Sequence, residues 1–300
     1  MKKRWLIIAG IVIVIILIIG LIGLRKAKPP KEENSNFKIV TTFYPMYIMT
    51  SNIAQGAQNI ELVNMTDINT GCVHDYTLST TDMKKIEGAN VLIENGFGLE
   101  NFIDKILSTH SDIKLINSGK NIMNTIQENG NTNPHIWTSL SNYILQVEEI
   151  TNELKLLNPE NAEIYQNNSE RYIQNIKQIQ IKYETQLSNL NGKKAICLNE
   201  ALNYIARDIG LEITSVVTNH EESSLSAEAI KNLIDKMKAE NIKIILVGNE
   251  DNLKNAEILS SETGARIFEL SSGLTGSREK DSYLNGMNSN FYTLRAIEVE

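Results

Sequence analysis

Apolar positions along this chain fall into short runs separated by turn residues. Residues 37–43, 60–65, 90–94 and 113–117 are apolar, β-branched segments of the length expected for buried strands. Between them, 80–89 and 98–109 carry helical spacing. Strands alternating with helices predict βαβ units and a mostly parallel sheet. The pattern restarts near Lys193, with strand-like runs at 195–199, 211–217, 242–247 and 265–270. Helical stretches lie between them, one starting at Ala201, the others over 226–241 and 253–263.

The two halves are joined by a segment of different character. Residues 159–190 contain no Gly and no internal Pro. Apolar or small side chains recur at Tyr165, Ser169, Tyr172, Ile176, Ile179, Tyr183, Leu187 and Leu190. Steps of three and four put these on one stripe of a single helix. Pro159 suits its first turn and Asn191-Gly192 its stop. Such a helix would be about 48 Å long. It reads as a rigid spine across both halves, with a coiled-coil seam as the alternative.

The fold class expected is therefore α/β: two lobes, each a mostly parallel sheet flanked by helices, tied by one long helix. The predicted divisions are an N-terminal lobe over 37–157, the linking helix over 158–191 and a C-terminal lobe over 192–300. Residues 1–31 stand apart. Trp5 to Leu24 is an unbroken stretch of twenty apolar or Gly residues, enough for a helix of about 30 Å, the thickness of a bilayer core. It ends in Arg25-Lys26-Ala27-Lys28, a poor cleavage site, and no Cys follows for lipid attachment. We read 5–24 as an uncleaved transmembrane anchor, the alternative being a long signal peptide that is removed. Basic residues flank both ends, so charge does not choose its orientation. Residues 25–36 read as a polar tether.

Charge sharpens this division. The chain has 300 residues with 29 Lys+Arg and 36 Asp+Glu, a net charge of −7. Seven of the bases and none of the acids lie in residues 1–31, leaving 22 bases against 36 acids, a net −14, for the rest. An acidic body without a basic, aromatic-laced patch argues against nucleic-acid binding. Two Cys are too few for a disulfide scaffold or a four-cysteine zinc module. No nucleophile–base pair, phosphate loop or dinucleotide fingerprint is present, so there is no positive case for an enzyme.

The chemistry lies with histidine. Of four, His74 sits in Thr70-Gly71-Cys72-Val73-His74-Asp75-Tyr76, after the second strand. His135 sits in Asn133-Pro134-His135-Ile136-Trp137, before a helical pattern. Loops after parallel strands are where ligands gather in open α/β sheets, and imidazole is the commonest metal ligand. His110 and His220 read as surface or loop residues.

Thr41-Thr42-Phe43-Tyr44-Pro45-Met46-Tyr47, His74-Asp75-Tyr76, Asn95-Gly96-Phe97-Gly98-Leu99-Glu100, Pro134-His135-Ile136-Trp137, Glu200-Ala201-Leu202-Asn203-Tyr204 and Glu262-Thr263-Gly264-Ala265 occur in this order and spacing. The ordered set resembles the substrate-binding receptors of zinc and manganese ABC importers, over about 37–290. The resemblance implies two α/β lobes on one long helix and a metal ion in the cleft, Zn²⁺ or Mn²⁺, delivered to an ABC permease by a monomeric extracytoplasmic receptor. It further implies two histidine ligands from the first lobe, matched by His74 and His135, and two ligands from the second lobe.

Those last two positions depart from the pattern. The third aligns with Asn199, and neighbouring Glu200 is the expected substitute, against its alternative as a helix N-terminal acid. The fourth aligns with Ser271. Water, Glu221, Glu222, Glu250 or Glu269 are the candidates to replace it. No His-rich loop precedes His135. Cys72 reads as a loop residue, with a soft extra ligand as the alternative. Cys197 reads as a small buried hydrophobe rather than half of a bridge. The rival reading is a non-transporting homologue acting as a surface interaction or adhesion module with a degraded metal site. A metalloenzyme ranks third.

Overall fold

The computed structural model describes residues 36–74, 76–128, 130–217, 225–248 and 253–297. The expected anchor, residues 5–24, lies outside the described residues. Among the described residues no helix is long and apolar enough to cross a membrane.

The first half is a four-stranded parallel sheet of β1 (Phe37–Thr41), β2 (Ile60–Asn64), β3 (Val91–Glu94) and β4 (Lys114–Asn117), in the order β2-β1-β3-β4. The second is built from β7 (Lys194–Cys197), β8 (Glu212–Val216), β9 (Ile244–Gly248) and β10 (Arg266–Leu270), in the order β10-β9-β7-β8, also parallel. The winding is the same in both: the second strand goes to one side of the first, the third and fourth to the other. That reversal leaves a crevice at the carboxyl ends beside β1 in one sheet and β7 in the other, the place where open α/β sheets hold ligands.

Both faces of the second sheet are covered, which explains its near-continuous apolar strands. Ala195 and Cys197 of β7 and Ile244 and Leu246 of β9 face one core. Their alternates Ile196, Leu198, Ile245 and Val247 face another, with Met237 and Leu259. The first of these cores is continuous with that of the first half, running from Ile39 to Ile297.

Helices connect the strands. α1 (Tyr44–Ile53) follows β1, with Pro45 in its first turn, where a missing N–H costs nothing. α2 (Thr80–Ile86) opens with a capping box between Ser79 and Asp82. α3 (Ile103–Thr109) precedes β4. α4 (Leu140–Leu157) is capped by Ser139, whose hydroxyl accepts from Asn142 N–H. α5 (Ala162–Gln186) is the spine, flanked by 3₁₀ turns at Pro159–Asn161 and Ser188–Leu190. The predicted stripe is buried in full, from Tyr165 to Leu190. The α-helix itself spans 25 residues, about 38 Å, shorter than the stripe suggests, because the terminal turns tighten to 3₁₀. α5 packs on α4, on α1 and on α9 (Ser282–Arg295), which follows β10. α6 (Asn203–Asp208), α7 (Ala227–Ala239) and α8 (Lys254–Thr263) complete the second half.

Polar contacts lock the halves together. Trp137 Nε1 donates to Ser272 O at 2.9 Å, and Tyr283 OH donates to Trp137 O at 2.8 Å. The Tyr283 ring stacks on Tyr143 with centroids 3.7 Å apart. Tyr204 OH accepts from Ile126 N–H and donates to Asn133 O.

Candidate metal centre

His74 lies on the long connection from β2 to α2. That connection has three anchors. Asp82 accepts from the Ser79 N–H and hydroxyl and from Tyr76 OH at 2.7–2.9 Å. Burial raises the Asp82 carboxyl, but these donors outweigh it and hold the group below its ordinary value. Burial, together with the Asp82 carboxylate, pushes the Tyr76 hydroxyl up to about 12, so it stays a donor. The third anchor is Asn101, whose Nδ2 donates to His74 O at 3.1 Å.

The 95–100 loop after β3 joins this connection to the second histidine. Asn95 Nδ2 donates to Pro134 O at 2.9 Å, and Asn95 Oδ1 accepts from Gln146. Behind it, Glu100 is 4% exposed and accepts from Thr42 Oγ1 and the N–H groups of Asn95 and Gly96. Burial pushes this carboxyl up to about 7, against the pull of those donors.

His135 is 2% exposed and stands at the head of a 3₁₀ turn, Ile136–Thr138. Its state follows from Asn133. Asn133 Nδ2 donates to Glu128 Oε1 and to Glu200 O, both at 3.0 Å. The amide is therefore oriented with Oδ1 toward His135, where it lies 2.9 Å from both the backbone N and Nδ1. An amide oxygen only accepts, so Nδ1 carries a hydrogen, and in the neutral ring Nε2 is then the nitrogen with the lone pair. A ring fixed this way is poised to ligate through Nε2. Glu128 belongs to a short antiparallel pair, β5 (Gln127–Glu128) with β6 (Asn131–Thr132).

His135 Nε2 faces Cys72 Sγ at 3.7 Å, and Cys72 Sγ lies 2.9 Å from His74 Nδ1. The two imidazole centroids are 5.3 Å apart. Ligand atoms of Cys72, His74 and His135 all fall within 4.8 Å of one another. The structure thus brings together the two predicted histidines and adds Cys72, the residue read as a bystander.

The Glu200 carboxylate is not one of this group. Glu200 is buried at the start of a 3₁₀ turn, Glu200–Leu202, capped by Asn199, whose Oδ1 accepts from Ala201 N–H at 2.9 Å. Its backbone carbonyl, as acceptor from Asn133, reaches the centre indirectly. Ser271 is built into a turn: its N–H and C=O both bond the Asn290 amide, at 2.7 and 2.8 Å. Glu269 is exposed on β10. Glu221, Glu222, Glu250 and His220 lie outside the described residues. His110 is the C-cap of α3, away from the group. Among the described residues neither Cys72 nor Cys197 is in a disulfide, and Cys197 is fully buried.

Comparison with known proteins agrees with this architecture. The "Iron-binding protein YfeA" of Yersinia pestis is 26% identical over 244 residues, 79% of this chain and 77% of its own length. The "Zinc-binding protein AdcA" of Streptococcus pyogenes is 27% identical over 301 aligned positions, covering 91% of this chain. This chain spans only 58% of that relative's length. The structure of the SBP FpvC from Pseudomonas aeruginosa in complex with Mn²⁺ superposes with a TM-score of 0.76 at 26% identity, covering 87% of this chain and 97% of that one. The family model described as ZnuA, zinc-uptake complex component A, periplasmic, matches residues 39–297. The chain belongs to this family of zinc-uptake receptors.

Proposed function

We propose that this protein is an extracytoplasmic receptor that captures Zn²⁺ at the carboxyl ends of the first sheet and passes it to an ABC permease. The observation that carries the reading is His135 with Nδ1–H held by Asn133, its ring beside that of His74 and its Nε2 facing Cys72 Sγ. Family membership supports the delivery role, and relatives are named for zinc and for iron. Mn²⁺ is the second candidate, as bound in the FpvC structure. Metal and permease are the partners, the receptor is monomeric, and no catalysis is assigned to it. We place residues 5–24 across the membrane, with 37–157 and 192–300 as lobes outside it and 158–191 as their link.

Competitive zinc titration of the full chain against a chromogenic chelator tests this, beside His74→Ala and Glu200→Ala. One zinc held at nanomolar strength and lost in His74→Ala is expected. Loss in Glu200→Ala as well would make the carboxylate a ligand rather than a neighbour. Binding no tighter than about 1 μM would favour the second reading, an interaction or adhesion module. Asn199 and Ser271, both committed to turns where the family pattern expects ligands, are what favour that reading. Protease added to intact cells should digest the C-terminal half, and protection there would sink the outward placement.

A further inference from the structure

We propose that Cys72 is a metal ligand, so that the receptor presents a sulfur–nitrogen–nitrogen donor set selecting Zn²⁺ and other thiophilic ions over Mn²⁺. This rests on the receptor reading above and deepens it. Zinc bonds of about 2.3 Å to sulfur and about 2.1 Å to nitrogen, at the tetrahedral angle, put the two donors about 3.6 Å apart. Cys72 Sγ and His135 Nε2 stand at 3.7 Å. The 2.9 Å contact between Cys72 Sγ and His74 Nδ1 is a hydrogen bond. An ion replaces it: the thiol proton leaves to solvent, the sulfur takes the metal, and the pair opens by under 1 Å to the same span.

The donor set then lies on two connections of the first half, the Cys72–His74 segment after β2 and the turn at His135. This accounts for the second half, where Asn199 and Ser271 build turns instead of ligating. That half contributes through the Glu200 carbonyl, which orients Asn133 and through it the His135 ring. Softness decides the cargo. Thiolate with imidazole suits zinc, whereas manganese prefers oxygen donors. The relatives' names span iron and zinc, and FpvC holds manganese, so kinship leaves the metal open and this chain's own sulfur closes it.

The test is Co²⁺ substitution of the purified full chain, followed by Zn²⁺ and Mn²⁺ titration of wild type and Cys72→Ser. Bound cobalt should show an intense near-ultraviolet sulfur-to-cobalt charge-transfer band. That band should vanish in Cys72→Ser, and the preference for zinc over manganese should narrow. Cys72 is an exposed loop residue, so the variant should melt with the wild type. Stoichiometric cobalt binding without the band would overturn the sulfur ligand and leave the receptor reading standing. Failure of the wild type to bind either cobalt or zinc would overturn both.

Discussion

Asn133 gives the most direct check on how the centre is built. It is 2% exposed, and its side chain makes four hydrogen bonds, two to His135 and one each to Glu128 and the Glu200 carbonyl. Asn133→Ala removes all four. At roughly 0.5–1.5 kcal/mol net apiece, stability should fall by about 2–6 kcal/mol. Zinc affinity should fall separately, by about 10–100-fold, since loss of the partner that fixes a ligating histidine costs that much. That is about 1.4–2.7 kcal/mol. Asn133→Asp divides the two effects. It keeps an acceptor toward His135 Nδ1 but loses both donated bonds and sets a second carboxylate beside Glu128. It should lose stability as Ala does and keep wild-type zinc affinity. Urea denaturation and chelator competition read the two quantities, and ¹⁵N NMR of the His135 ring reads the proton directly. A folded Asn133→Ala with unchanged affinity and Nδ1 still protonated would refute the orienting role.

Three further outcomes are expected. Glu100 has a folded-state carboxyl near 7 against an ordinary 4.5, raised by burial; the unfolded chain therefore sheds this proton first as pH rises. Its contribution is present below about 4.5, drains away up to about 7 and is flat beyond, a fall of at most about 3 kcal/mol. Glu100→Gln should flatten that slope in urea melts at pH 5 and pH 8. Tyr283→Phe deletes the buried bond to Trp137 O and should cost about 1–3 kcal/mol, measured by denaturation. At Gly119 an added Cβ would stand 2.7 Å from Asn95 O and 2.8 Å from the Phe97 ring, so Gly119→Ala should destabilise by about 1–3 kcal/mol, read as a lowered Tm.

Strand positions and the spine were legible because burial on both sheet faces and a single helical stripe leave strong periodic marks in sequence. α1 was not: no helical spacing was read over 44–53, where Pro45 occupies the first helical turn. Nor was α9, whose segment mixes Asn, Ser and Gly286 among its apolar positions. His74 and His135 stood out by residue type and context. Cys72 did not, because its proximity to His135 is set by the fold across 63 residues, and no local pattern records such a distance. The resemblance aligned a third ligand with Asn199 and made its neighbour Glu200 the expected substitute; the fold adds a contact from the Glu200 main chain to Asn133, which sequence does not record.

The continuous apolar interior from Ile39 to Ile297 bears on how the molecule moves. Opening the halves about a hinge would expose the Trp137, Tyr143 and Tyr283 cluster, all three at most 2% exposed, to water. Burial of each such ring is worth a few kcal/mol, so a wide-open form is scarce. The molecule should melt in one calorimetric transition, and ion entry and exit fall to the connection before α2, where Cys72 and Thr77 already meet solvent.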